Sequence, residues 1–301
     1  MNRENVLLRI EGMSKVYGQQ AAVDQVSFAI QRGEICGLVG QNGAGKTTLI
    51  RILSGLIFPS AGQLVFPNPV KMGAIIESPT LYPNMSAWDN LMYAALQLSL
   101  ENPKERIQQV LDLVGLGDVD RKKKVKNFSL GMRQRMSIAL AIIDFPEFLI
   151  LDEPINGLDP SGIKEVRDII LRLRDEYGMT VLISSHILSE LELLADRFVI
   201  MHKGKVIRDL TKADLAAVVA RKLYLDTADN AAVKAYLEEK GLEVSLEEAG
   251  LVLDADEHVQ SLIDLVGQSG IEILEIYRQG QHLEEYYLSL LSYGGVENEF
   301  S

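Results

Sequence analysis

The sequence predicts an α/β fold in which parallel strands joined by helical crossovers carry an inserted helical segment, with a small α+β domain after it. Three observations predict this. β-like and helical patterns alternate through the first 220 residues. The stretch from about 87 to 145 is helical in pattern almost throughout. The charge density then steps at about residue 220: residues 221–301 hold 5 basic and 17 acidic side chains, whereas residues 1–220 balance at 25 of each. A step of this kind marks a composition boundary, so the chain is read as a domain over 1–220 and an acidic accessory or regulatory domain over 221–301.

Taken in order, β-like runs fall at 7–11, 23–30, 35–39, 70–76, 148–151, 180–184 and 197–202. Helical patterns fall between them at 46–53, 87–100, 103–114, 131–144, 162–176 and 187–195. In the tail, strands are expected at 223–226, 242–246, 251–255 and 271–277, and helices at 231–239, 259–266 and 283–291. The βαββαβ order is that of a ferredoxin-like split βαβ unit with one helix appended. Tyr286, Tyr287 and Tyr293 on the last helix read as a packing stripe.

Composition narrows the class. Apolar residues form 47% and charged residues 24% of 301, as in soluble globular domains. One cysteine, Cys36, allows neither an internal disulfide nor a cysteine pair for zinc, which fits a reducing, cytoplasmic location. The start lacks a signal-peptide pattern, and apolar runs such as 136–143 fall short of the roughly 18 residues a membrane span needs. A net charge of −12 argues against nucleic acid as a partner. The one basic run, Arg121 to Lys124 with Lys126, follows the helix-stop glycines Gly115 and Gly117 and has no interleaved aromatics, so it reads as a solvated loop.

The strongest motif is Gly40-Gln41-Asn42-Gly43-Ala44-Gly45-Lys46-Thr47, which follows an apolar strand and opens a helix. Its glycines let backbone N–H groups turn around phosphate oxygens, and the helix N-terminus adds a favourable dipole. Lys46 is expected to neutralise β- and γ-phosphates and Thr47 to present its hydroxyl to Mg²⁺; Asn42, Ala44 and Thr48 complete the binding set. The strand at 148–151 then delivers Asp152 and Glu153. Asp152 would orient the Mg²⁺ shell, and Glu153 would take a proton from the attacking water. Without the phosphate loop upstream, the same two acids would read equally well as a helix cap.

With these motifs the chain resembles the nucleotide-binding subunit of an ABC transporter, a P-loop NTPase core of ABC type, over residues 1 to about 220. Phe128-Ser129-Leu130-Gly131-Met132-Arg133-Gln134-Arg135 resembles the family signature, although Ser129 is also an ordinary N-cap. Asn156-Gly157-Leu158-Asp159-Pro160 resembles the family's D-loop, and Ser184-Ser185-His186 its switch histidine. The resemblance implies ATP and Mg²⁺ as cofactors, Glu153, His186 and Lys46 as catalytic residues, and Ser129, Gly131 and Asp159 as nucleotide contacts. Tyr17 falls where the family stacks an aromatic on adenine; core packing is the other reading. Glu77 stands where the family usually has a metal-touching glutamine, and is read with Thr47 and Asp152 as a metal ligand.

The resemblance further implies a head-to-tail dimer, usually of identical chains, and a separate transmembrane permease docked near residues 79–88, which places the chain at the cytoplasmic face of the membrane. Glu77, the 81–87 segment and the signature are similar to the branch that exports bacitracin and lantibiotic peptides. The function implied is ATP-driven export of an antimicrobial peptide, drug or lipid-like substrate. An importer ATPase with a regulatory tail, a soluble ABC-type ATPase acting on nucleic acid or ribosomes, and a nucleotide kinase are the alternatives.

Overall fold

Three central strands, buried along their whole length, organise the larger part of the molecule. The computed structural model describes residues 5–77, 81–218, 221–247, 250–254, 259–280 and 283–294. The chain forms two compact units, Met1–Lys212 and Ala213–Ser301, so the units divide ahead of the step in charge.

In the first unit, β1 (Val6–Tyr17) and β2 (Gln20–Gln31) form a hairpin across Gly18-Gln19, and β3 (Ile35–Val39) follows. The phosphate loop leads into α1 (Lys46–Leu53), and β4 (Ala61–Val65) and β5 (Met72–Ile75) come next. The helical stretch comprises α2 (Ala87–Gln97), α3 (Pro103–Leu113), a 3₁₀ turn at Val125–Asn127 and α4 (Leu130–Ala141). Then come β6 (Phe148–Asp152), α5 (Pro160–Asp175), β7 (Thr180–Ser185), α6 (Leu188–Leu194), β8 (Arg197–His202) and β9 (Lys205–Thr211).

Six strands form one sheet in the order β5-β6-β7-β3-β8-β9. The first five are parallel, and β9 closes the edge antiparallel to β8. Every residue of β3, β6 and β7 is buried, which is why apolar residues dominate them and polar ones fall only at strand ends, at Asp152, Thr180, Ser184 and Ser185. The strands at the start of the chain do not join this sheet. They form an antiparallel sheet of their own in the order β2-β1-β4. Both layers share a core of Leu7, Ile30, Leu38, Ile50 and Phe148.

Local chemistry sets the helix starts. Ser86 and Asp89 make a reciprocal capping box at α2, and Asp159 with Pro160 opens α5. The strands β4 and β9 were not expected; both are edge strands that are partly exposed, and they show no apolar pattern.

The second unit opens with α7 (Lys212–Val218), which the sequence pattern did not predict. It continues as β10 (Arg221–Thr227), α8 (Asn230–Glu239), β11 (Val244–Glu247), β12 (Gly250–Asp254), α9 (Val259–Gln268), β13 (Ile273–Gly280) and α10 (Leu283–Gly294). The sheet is antiparallel in the order β11-β12-β10-β13. Leu223, Leu225 and Leu251 of the sheet pack with Val233 and Leu237 of α8 and with Leu262 and Val266 of α9. Tyr286 and Tyr287 of α10 are buried, and Tyr293 lies on the same helix; Ala255, at the end of an expected strand, lies outside the described residues.

Beside β3, the Glu34 carboxylate accepts the Gln31 backbone N–H at 2.7 Å. Burial raises its pKa above the ordinary 4.5, against the opposing pull of that hydrogen bond and of Arg197. A carboxyl raised on folding contributes stability below its unfolded pKa and loses it as pH rises through the folded one. Glu34→Gln keeps an acceptor without the charge. It should therefore show a higher urea midpoint than the parent at neutral pH, an advantage that disappears by about pH 4.

Candidate nucleotide site

The phosphate loop is pressed between two strands. At Gly45, which caps α1 with φ of 102°, a Cβ would sit 2.3 Å from the Ala22 carbonyl oxygen of β2. At Gly40 it would sit 2.7 Å from the Met201 carbonyl oxygen of β8. No side chain fits either position, so the loop backbone lies against the sheet and α1 presents an N-terminus with no acidic residue in its first turn. Lys46, 5% exposed, donates to the Gly40 carbonyl at 2.6 Å and stands 3.6 Å from Glu153 Oε1.

Two parallel strands deliver the acids. Asp152 ends β6 opposite Ser184 of β7, and the Ser184 hydroxyl donates to Asp152 Oδ1 at 2.6 Å. The same Oγ accepts the Glu153 backbone N–H at 2.9 Å. Glu153 takes φ of 50°, a region that non-glycine residues seldom adopt. The turn aims its carboxylate at two partners: Oε1 faces Lys46, and Oε2 lies 2.7 Å from His186 Nδ1. Lys46, Glu153 and His186 thus form one chain, drawn from the start of α1 and the ends of β6 and β7.

Tyr17, Asn42, Gly43, Gly45, Lys46, Thr47, Thr48, Glu153 and His186 line a cleft of about 680 Å³. Gly40, Ala44 and Asp152 belong to the same strand ends but do not line it. Tyr17 is half exposed at the rim. Sequence reasoning missed Gln20, Ala21, Ala22, Lys203 and Gly204 in the lining, and it read Asn156, which also lines the cleft, only as part of the D-loop. The short turns 17–20 and 202–205 carried a usable signal, since each joins strands that flank the loop.

Ser129, Gly131 and Asp159 lie apart from this cleft and share a second one of about 450 Å³ with Arg135 and Glu165. There Ser129 caps α4 by accepting the Met132 N–H at 3.1 Å, and Asp159 caps α5 by accepting the Gly162 N–H at 3.1 Å. Glu77 lines neither cleft; its carboxylate is ion-paired with Arg51. Residues 79 and 80, at the start of the expected permease socket, lie outside the described residues.

The donor set fits a magnesium nucleoside triphosphate: a backbone cradle closed to side chains, a buried ammonium, the Thr47 hydroxyl and the Asp152 carboxylate. Fold and site together define a phosphate-loop ATPase. The family model for ABC transporters matches residues 23–156. The chain is 38% identical to the bacitracin transport ATP-binding protein BcrA of Bacillus licheniformis, over 97% of this chain and 99% of that protein. It is 45% identical to the lantibiotic transport ATP-binding protein SrtF of Streptococcus pyogenes, over 67% of this chain and 89% of the relative. A solved ATP-binding subunit of an ABC transporter is 30% identical with a TM-score of 0.63, covering 70% of this chain and 92% of that one. The chain belongs to the ATP-binding subunits of ABC transporters.

Ser184→Ala removes a hydroxyl that serves Asp152 and Glu153 at once. It should cost about 1–2 kcal/mol in urea unfolding and lower ATP turnover more than nucleotide affinity. Unchanged turnover would show that the hydroxyl does not hold the acids in place.

Proposed function

We propose that the chain hydrolyses ATP to drive export of an antimicrobial peptide, drug or lipid-like substrate through a separate permease. The observation that carries the hydrolytic part is the Lys46–Glu153–His186 chain inside the phosphate cleft. The cargo class is supported by the match to a bacitracin transport protein, which runs end to end and includes the acidic unit. On this reading residues 1–220 are the ATP-binding domain and 221–301 the accessory one. No helix among the described residues is long and apolar enough to cross a membrane. On the same reading the chain works from the cytoplasmic face, held there by the permease.

In the proposed mechanism Lys46 meets the β- and γ-phosphates with its ammonium while the N–H groups at the start of α1 hold their oxygens. Tyr17 offers its ring face to the adenine. Thr47 and Asp152 would hold Mg²⁺, which neutralises phosphate charge when bound. Glu153 takes a proton from the attacking water, and His186, fixed by the Glu153 carboxylate, stands ready to donate to the γ-phosphate. Ser129, Gly131 and Asp159 face the phosphate cleft of a second copy in a head-to-tail dimer, which accounts for two separate clefts on one chain.

Glu153→Gln with MgATP should elute as a stable dimer in size-exclusion chromatography, whereas Lys46→Ala should stay monomeric and bind ATP at least tenfold more weakly, about 1.4 kcal/mol or more. A Glu153→Gln monomer unmoved by ATP would contradict the closed dimer. Pull-down from detergent-solubilised membranes should recover a multi-span membrane protein; recovery of ribosomes instead would contradict the transport reading.

A further inference from the structure

The ion pair between Arg51 and Glu77 has no part in the mechanism above, yet Arg51 stands on the helix whose first residues line the cleft. Glu77 lies two residues beyond β5. β5 and β6 pair in parallel up to Ile75 opposite Leu151, so the two strands end at the same edge of the sheet. Adjacent strands lie about 4.8 Å apart. Glu77 follows the end of β5, and Asp152 and Glu153 stand at and after the end of β6, so one sheet edge carries three carboxylates.

The other two are committed. Asp152 accepts from Ser184, and Glu153 is balanced by Lys46. Arg51 answers the third. It stands one turn after Thr47 on α1, and residues four apart share a helix face. Its carbonyl accepts the Leu56 N–H at 2.9 Å, which anchors it at the end of that helix. Glu77 meets the guanidinium with φ of 60°, an uncommon conformation for a non-glycine residue.

We infer that Arg51 is a positioning residue, which holds the Glu77 carboxylate neutralised and off the phosphate cleft, so that β5 is tied by charge to the helix that carries Lys46 and Thr47. This rests on the ATP-binding reading. The bland alternative is that Arg51 merely complements the C-terminal dipole of α1.

Binding of a fluorescent ATP analogue in EDTA separates the two, because metal then plays no part. Arg51→Gln frees a carboxylate beside the triphosphate and should weaken binding about fivefold at low salt, with the loss shrinking in 0.5 M NaCl, where charges are screened beyond about 4 Å. Adding Glu77→Gln to that variant should restore binding to within about twofold. Arg51→Lys should bind like the parent, and Glu77→Gln alone more tightly. A double variant as weak as Arg51→Gln, or an Arg51→Gln that binds like the parent, overturns the inference while the parent's own binding leaves the ATP reading standing. Should the parent fail to bind, both fall.

Discussion

The parallel register of β3, β7 and β6 is the constraint on which the site depends. Val39 pairs with Ser185 and Ser184 with Asp152, so segments more than a hundred residues apart in sequence end at one level of one sheet edge. Side chains alternate across a strand, so a slip of one residue would turn Asp152 or Ser184 to the opposite face. The register is protected by burial. All three strands are enclosed on both sides, and Phe148, Leu38 and Leu182 lock them into one core. The catalytic geometry is therefore inherited from the packing of the sheet rather than from the loops that display it.

At that edge two acids leave their strands in the left-handed region, Glu153 at φ of 50° and Glu77 at φ of 60°. Unusual backbone of this kind persists where the surroundings over-determine it. For Glu153 the surroundings are visible. Its N–H is taken up by Ser184, and its two oxygens are divided between Lys46 and His186. At this edge Glu153 and Glu77 are each paired with a cation, Lys46 and Arg51, while Asp152 accepts a hydroxyl from Ser184.

Much of this was legible in the sequence where the chemistry is contiguous. Gly40 to Thr47 could be read in one pass because the loop, its strand and its helix are neighbours in the chain. The same holds for Ser129, an N-cap whose partner Met132 lies three residues on. Ser184 could not be assigned a task, because its partners Asp152 and Glu153 come from another strand. Arg51 was invisible for the same reason. The edge strands β4 and β9 escaped because half-exposed strands carry little hydrophobic signal, and the separate sheet of β1, β2 and β4 escaped because periodicity reports burial and not partners. In the second unit the order of elements after α7 was readable, because each strand and helix there carries its own local pattern.

The separation of the two clefts on one chain has a genetic consequence. In the head-to-tail pair proposed above, each nucleotide site would be assembled from both copies, one giving Lys46 and the other Ser129. Two alleles, one damaged at each position, are each null alone. When they are expressed together, mixed pairs concentrate both lesions at one site and leave the other whole, so two broken genes can complement one another within a single assembly.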